Sequence, residues 1–213
     1  MNQSPDVLLL IATGCSHCPS VLQSLSELVK DGRIGQLEVV NIMQRPERAQ
    51  ALGVRSVPWV KIGPFELTGM KTKAELQQWI ERISKPEAMS DYFAELMLSG
   101  EINKVSELIR QQPGLFTALL RLVADEDASM SVRIGAGAVI EEFAGSDILK
   151  QHTQELIEYL HHDDARVRND ACYYLGLSQD KSVIPAIKPL LDDTDKDVRE
   201  TAQDELQELE NAT

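Results

Sequence analysis

Three stretches of the second half share one pattern: DEDASMSVRIGAGAVI, HHDDARVRNDACYYLG and DDTDKDVRETAQDELQ. In each, an acidic stretch leads to Val-Arg, and an alanine stands three residues after the arginine. The Val-Arg pairs fall at 132–133, 167–168 and 198–199, spacings of 35 and 31 residues. SVIPAIKPLL, between the last two, reads as a further short apolar helix ending at an acidic turn. A pair of short helices cannot bury an apolar face alone. Repetition at this period therefore demands that neighbours stack, and the stack is a solenoid.

In this period and pattern, residues 120 to 210 resemble HEAT-type repeats of the short, bacterial kind. The aspartates suit helix starts, where they accept backbone N–H bonds. Arg133, Arg168 and Arg199 are placed to pair with neighbouring acidic turns and to stitch the repeats, so they read as scaffold. Upstream, PEAMSDYFAELMLSG, EINKVSELIRQQ and GLFTALLRLVA are helical segments parted by Gly or Pro; residues 86–120 are expected to cap one end. The polar helix ETAQDELQELENAT caps the other. His161 and His162, at a repeat turn, and His152 read as surface. Cys172, beside the repeat's Ala171, reads as a buried structural thiol.

The first half has a different rhythm. DVLLLIAT is a short, nearly continuous apolar run, the pattern of a strand buried on both faces. Val21, Leu22, Leu25, Leu28 and Val29 then recur at helical spacing. LEVVNIM reads as a strand, RPERAQALGV as a short helix, and VPWVKIG and FELTG as strands joined at Gly63-Pro64. TKAELQQWIERI closes the unit, with Leu76, Trp79, Ile80 and Ile83 on one face. The order β-α-β-α-β-β-α implies an α/β sheet ending in an antiparallel hairpin. Ser84–Glu87 marks the boundary, giving an α/β domain at 1–85 and an all-α repeat domain at 86–213.

Charge divides the chain at the same place. Residues 1–85 hold 10 Lys/Arg and 8 Asp/Glu, a net of +2; residues 86–213 hold 11 and 26, a net of −15. An acidic second half opposes nucleic acid, whose phosphates need cations, and favours a basic protein partner. No run is long and apolar enough for a membrane span. LLLIATGC has the look of a lipoprotein signal, but no Lys or Arg precedes the run and Asp6 does. Only three cysteines, Cys15, Cys18 and Cys172, are present; that fits a reducing, cytoplasmic setting.

Cys15 and Cys18 bracket Ser16-His17 between a buried strand and a helix start. Unpaired amides and the helix dipole there stabilise a thiolate at Cys15, the attacking sulfur; Cys18, one turn on, resolves the mixed disulfide. Two alternatives stand beside this reading. A strand, TGCSHC and a helix also occur in copper chaperones, which would make the cysteines a metal carrier, although that topology is β-α-β-β-α-β. A fold of this kind can also serve as a non-catalytic adaptor or assembly module. No Gly-rich phosphate loop or metal motif is visible, so no cofactor or resident metal is expected.

CSHCPSVLQSL…ALGVRSVPWVKIG, within residues 6 to 83, resembles the thioredoxin and glutaredoxin superfamily, in particular the N-terminal redox domain of alkyl hydroperoxide reductase flavoproteins. The resemblance implies a thiol–disulfide oxidoreductase acting on a protein disulfide or thiol client, with electrons from a reductase or small thiol. It implies Cys15 and Cys18 as the dithiol, Pro58 as a cis-proline, and Val57, Pro58 and Trp59 as the substrate-pairing loop. Trp59 and Trp79 also read as core. Two positions depart from the family. Leu9 stands where a buried acid is common, six residues before Cys15, and Ser16-His17 replaces Gly-Pro. His17 is expected to stabilise the Cys15 thiolate, giving a potential less reducing than the about −270 mV of thioredoxin.

Overall fold

The computed structural model describes residues 4–85 and 87–211. Pro86, inside the expected boundary, and Ala212 and Thr213, at the end of the expected terminal helix, lie outside the described residues. The chain divides into two compact units, with the division between Ala88 and Met89.

The first unit runs β1 (Asp6–Ile11), α1 (Cys18–Lys30), β2 (Gln36–Asn41), α2 (Pro46–Ala51), β3 (Trp59–Ile62), β4 (Phe65–Thr68) and α3 (Lys73–Arg82). Its sheet has the order β2-β1-β3-β4. β1 pairs in parallel with β2, Leu9 opposite Val39, and antiparallel with β3, Leu9 opposite Val60. An inner strand is covered on both faces, which is why DVLLLI carries so few polar residues. β2 is an edge, and Val39 is exposed. The β3–β4 hairpin turns through two residues, the first of them Gly63 at φ +56, a conformation costly for any residue with a Cβ.

α1 and α3 pack on each other. Val21, Leu25 and Leu28 of α1 and Leu76 and Trp79 of α3 are buried, and the Trp79 ring lies 4.8 Å from Phe65. α3 opens with a capping box: Thr72 accepts from the Glu75 amide, and the Glu75 carboxylate accepts from the Thr72 amide at 2.7 Å.

The second unit is all helix: α4 (Ala88–Leu98), α5 (Ile102–Gln111), α6 (Phe116–Ala124), α7 (Met130–Glu141), α8 (Asp147–Gln151), α9 (Thr153–Tyr159), α10 (Ala165–Leu177), α11 (Ile184–Ile187) and α12 (Lys196–Asn211). α7, α10 and α12 carry the repeated motif. Val132, Val167 and Val198, with Ala136, Ala171 and Ala202 one turn on, are all buried. Positions i and i+4 share a helix face, so each copy turns a β-branched and a small residue inward, and the small one lets the next helix approach. No helix among the described residues is long and apolar enough to cross a membrane.

Several sequence expectations are corrected here. Arg168 stitches as expected: Nε and Nη2 each donate to the Asp193 carboxylate at 2.8 Å, and Nη1 donates to the carbonyls of His162 and Asp163. Arg199 donates to the carbonyls of Asp193 and Thr194. Arg133 does not follow. Its Nε is buried without a partner and its Nη2 lies 3.5 Å from Met130 Sδ. Arg166 ties down the end of α6 instead, donating to the carbonyls of Val123 and Asp125.

SVIPAIKPLL is not one helix. Two 3₁₀ turns, Lys181–Val183 and Lys188–Asp192, flank the four residues of α11. Pro189 has no N–H for an α-helical bond and crowds the preceding turn. His152 is half-buried rather than surface. Its Nδ1–H donates to the Ile148 carbonyl at 2.8 Å and its ring lies 4.9 Å from Phe116, at the break between α8 and α9. His162 accepts from the Asp164 amide at 3.1 Å and so shapes the turn before α10.

Candidate functional site

The register of the sheet sets where the chain's loops meet. β1, β2 and β4 end, and β3 begins, at one end of the sheet. That end receives the loops 12–17, 42–45, 52–58 and 69–72. Hydrogen bonds tie these loops to one another and to the strand ends. The Asn41 side chain donates to Thr13 Oγ1 and the Ile42 amide to the Ile11 carbonyl, while the Gly69 amide donates to the Pro58 carbonyl.

Gly14, at φ +83, turns the chain out of β1 into the cysteine loop. His17 caps α1 without a side-chain hydrogen bond, and Pro19 sits in the first turn, where its missing N–H leaves no bond unmade. Cys15 and Cys18 are joined as a disulfide, Cα to Cα 5.5 Å. The two sulfurs differ in setting: Cys15 is part-exposed, whereas Cys18 is 4 % exposed. The Cys18 amide, an unpaired donor of the helix start, points at Cys15 Sγ from 3.2 Å. This geometry stabilises negative charge on the outer sulfur and leaves the inner one as the partner within reach.

The loop before β3 lies against that sulfur. Cys15 Sγ is 3.8 Å from the Val57 carbonyl oxygen, and the Val57–Pro58 peptide is cis. The structure thus brings Val57 and Pro58 to Cys15 and Cys18, although Cys15 and Val57 lie 42 residues apart in sequence. Trp59 does not join them: at 3 % exposure, between Leu10 and Thr68 in the sheet, it belongs to the core. Ser16 and His17 are exposed, and among the described residues no hydrogen bond joins the His17 ring to either sulfur. Leu9 is fully buried between Val39 and Val60, so that point of the core is aliphatic.

Cys172, in the second unit, is fully buried, and burial, with Glu205 adding to it, pushes its thiol up to about 12. Such a thiol stays protonated and inert. Among the described residues, no group of three His, Cys, Asp or Glu side chains is arranged to hold a metal ion. Sequence reasoning passed over Asn41, whose place at the end of β2 brings it to Thr13; only the strand register reveals that pairing.

Known proteins match the chain in two places. A family model described as a thioredoxin domain matches residues 6–81, and one described as HEAT repeats matches residues 116–207. A thioredoxin of Methanocaldococcus jannaschii is 30 % identical over 70 residues, which is 32 % of this chain and 82 % of the relative.

Proposed function

The chain belongs to the thioredoxin family through its first unit and carries HEAT repeats in its second; on that footing we propose that it is a thiol–disulfide oxidoreductase, its dithiol Cys15 and Cys18, acting on protein disulfides. The observation that carries this reading is the part-exposed Cys15 sulfur, 3.2 Å from the Cys18 amide at a helix start. The Cys15 thiolate attacks a client disulfide, and Cys18 then displaces the client from Cys15. The backbone at Val57, whose carbonyl oxygen lies 3.8 Å from Cys15 Sγ, is the surface on which the client strand pairs. Electrons come from a reductase or a small thiol, and the setting is a reducing, cytoplasmic one.

The repeats serve as a protein-interaction surface, as stacked helices commonly do. The net charge of −15 over residues 86–213 favours a basic partner. The test is a redox titration against glutathione in a Cys172→Ser background, read by alkylation and mass. A two-electron transition between about −120 and −290 mV is expected. Absence of an intramolecular Cys15–Cys18 disulfide throughout the titration would refute the oxidoreductase and leave the adaptor or the metal carrier.

A further inference from the structure

The four loops around the dithiol carry Arg45, Arg55, Lys71 and His17 and not one Asp or Glu, in a chain of net charge −13. The nearest carboxylates in sequence are engaged: Glu47 pairs with Arg45 at 3.6 Å, and Glu75 closes the capping box with Thr72. Arg55 is exposed and has no ion pair or hydrogen bond among the described residues. It stands two residues before Val57, whose carbonyl oxygen lies 3.8 Å from Cys15 Sγ. Two residues span at most about 7 Å, so its guanidinium can reach a side chain flanking whatever is bonded to Cys15. Met43, 65 % exposed, and Met70, 55 % exposed, follow β2 and β4 at the same sheet end and offer adaptable apolar contact on either side.

We propose that the client of this dithiol is a disulfide in an acidic peptide segment, and that Arg55 is the specificity-determining residue that meets a carboxylate beside the client cysteine. This rests on the oxidoreductase reading and adds the substrate class to it. In the reaction, the Cys15 thiolate bonds to one client sulfur as the client S–S bond breaks. The Cys18 thiolate then bonds to Cys15 Sγ and frees the client. Two electrons pass to the client, whose two sulfurs take up the protons that the dithiol gave up; two equivalents of a small thiol, leaving as their disulfide, then restore the dithiol. The attraction is local, because the chain as a whole is acidic; it acts once the client segment is beside Arg55, and salt weakens it.

The test uses the full chain with Cys172→Ser, reduced with dithiothreitol and desalted. Three synthetic disulfide peptides, alike except for Glu, Gln or Lys flanking the cysteine, are its oxidants. Each rate is divided by that of the same peptide with free cysteine. At low salt the Glu peptide is expected to react about fivefold faster than the Lys peptide, a ratio falling towards one near 0.5 M salt. Arg55→Gln narrows the low-salt ratio to below about twofold, and Arg55→Lys restores most of it. Equal rates for the three peptides, or a ratio that Arg55→Gln leaves unchanged, would overturn the assignment of the client while the redox reaction stands. If no peptide oxidises the dithiol, the oxidoreductase reading falls and the client assignment falls with it.

Discussion

The Arg168–Asp193 pair ties α10 to the turn before α12, so it is the clasp between the last two repeats. Its guanidinium is 13 % exposed and its carboxylate 8 %. Asp193→Asn keeps the shape and the acceptor for the Asp195 amide. It removes the charge and turns one of two 2.8 Å hydrogen bonds into a clash of donors. Losing a partner of a buried charged group costs about 3 to 5 kcal/mol when the site is deep. Here Arg168 keeps two carbonyl partners and lies near the surface, so about 2 kcal/mol is the expected loss. With a urea slope of roughly 2 kcal/mol/M, the unfolding midpoint falls by about 1 M.

A double-mutant cycle with Arg168→Met should give a coupling of about 1.5 kcal/mol. The pH dependence has a definite sign. Arg168, chiefly through its hydrogen bonds, holds the Asp193 carboxyl below its ordinary 3.8. A depressed acid contributes stability above its unfolded value and loses it as pH falls through its folded value. The gap between the natural protein and Asp193→Asn should be constant above about pH 5 and close below 3.8. Urea curves read by circular dichroism at pH 7 and pH 3 measure both. A midpoint shift under about 0.3 M, or additive single variants, would refute the clasp.

Burial, with Glu208 and Asp204 adding to it, pushes the Glu205 carboxyl up to about 7. A raised acid contributes stability below its ordinary 4.5 that is lost as pH rises through 7. Glu205→Gln should therefore flatten the melting temperature between pH 5 and 8 and add about 1 kcal/mol at pH 8, after solvent screening. Cys172 should react with iodoacetamide at pH 8 at least about a hundredfold more slowly in the native protein than in urea, with mass spectrometry following the label. Leu9→Asp, which restores an acid where the family commonly has one, should cost about 3 kcal/mol because the site is aliphatic. Burial raises that carboxyl, so the loss measured by urea should be larger at pH 7 than at pH 4.

The thioredoxin-like unit was legible because its signals are local. An apolar run, a Cys-x-x-Cys before an amphipathic stretch and a Gly63-Pro64 turn each dictate their own element. The repeats were legible because Val132, Val167 and Val198 and their alanines must all face inward. What escaped depended on partners distant in sequence. Arg133 stands in the same register as Arg168 and Arg199, yet it is Arg166 that bonds the carbonyls at the end of α6. No local rule separates these cases. His152 has a neighbour in Phe116 only because α6 and α9 meet. The broken α11 region did carry a signal in Pro185 and Pro189, which outweighs its apolar spacing.

Sequence by itself determined the kind of nearly every element, the two-part organisation and the place of Cys15 and Cys18 between a strand and a helix, since periodicity, caps and turn residues act within a few positions. Tertiary structure decided the rest. The sheet order β2-β1-β3-β4 sends four loops to one end, sets the Val57 carbonyl 3.8 Å from Cys15 Sγ, buries Trp59 and leaves Arg55 exposed beside them. Those outcomes follow from strand register and packing, which join residues far apart along the chain and are not written in any one stretch of it.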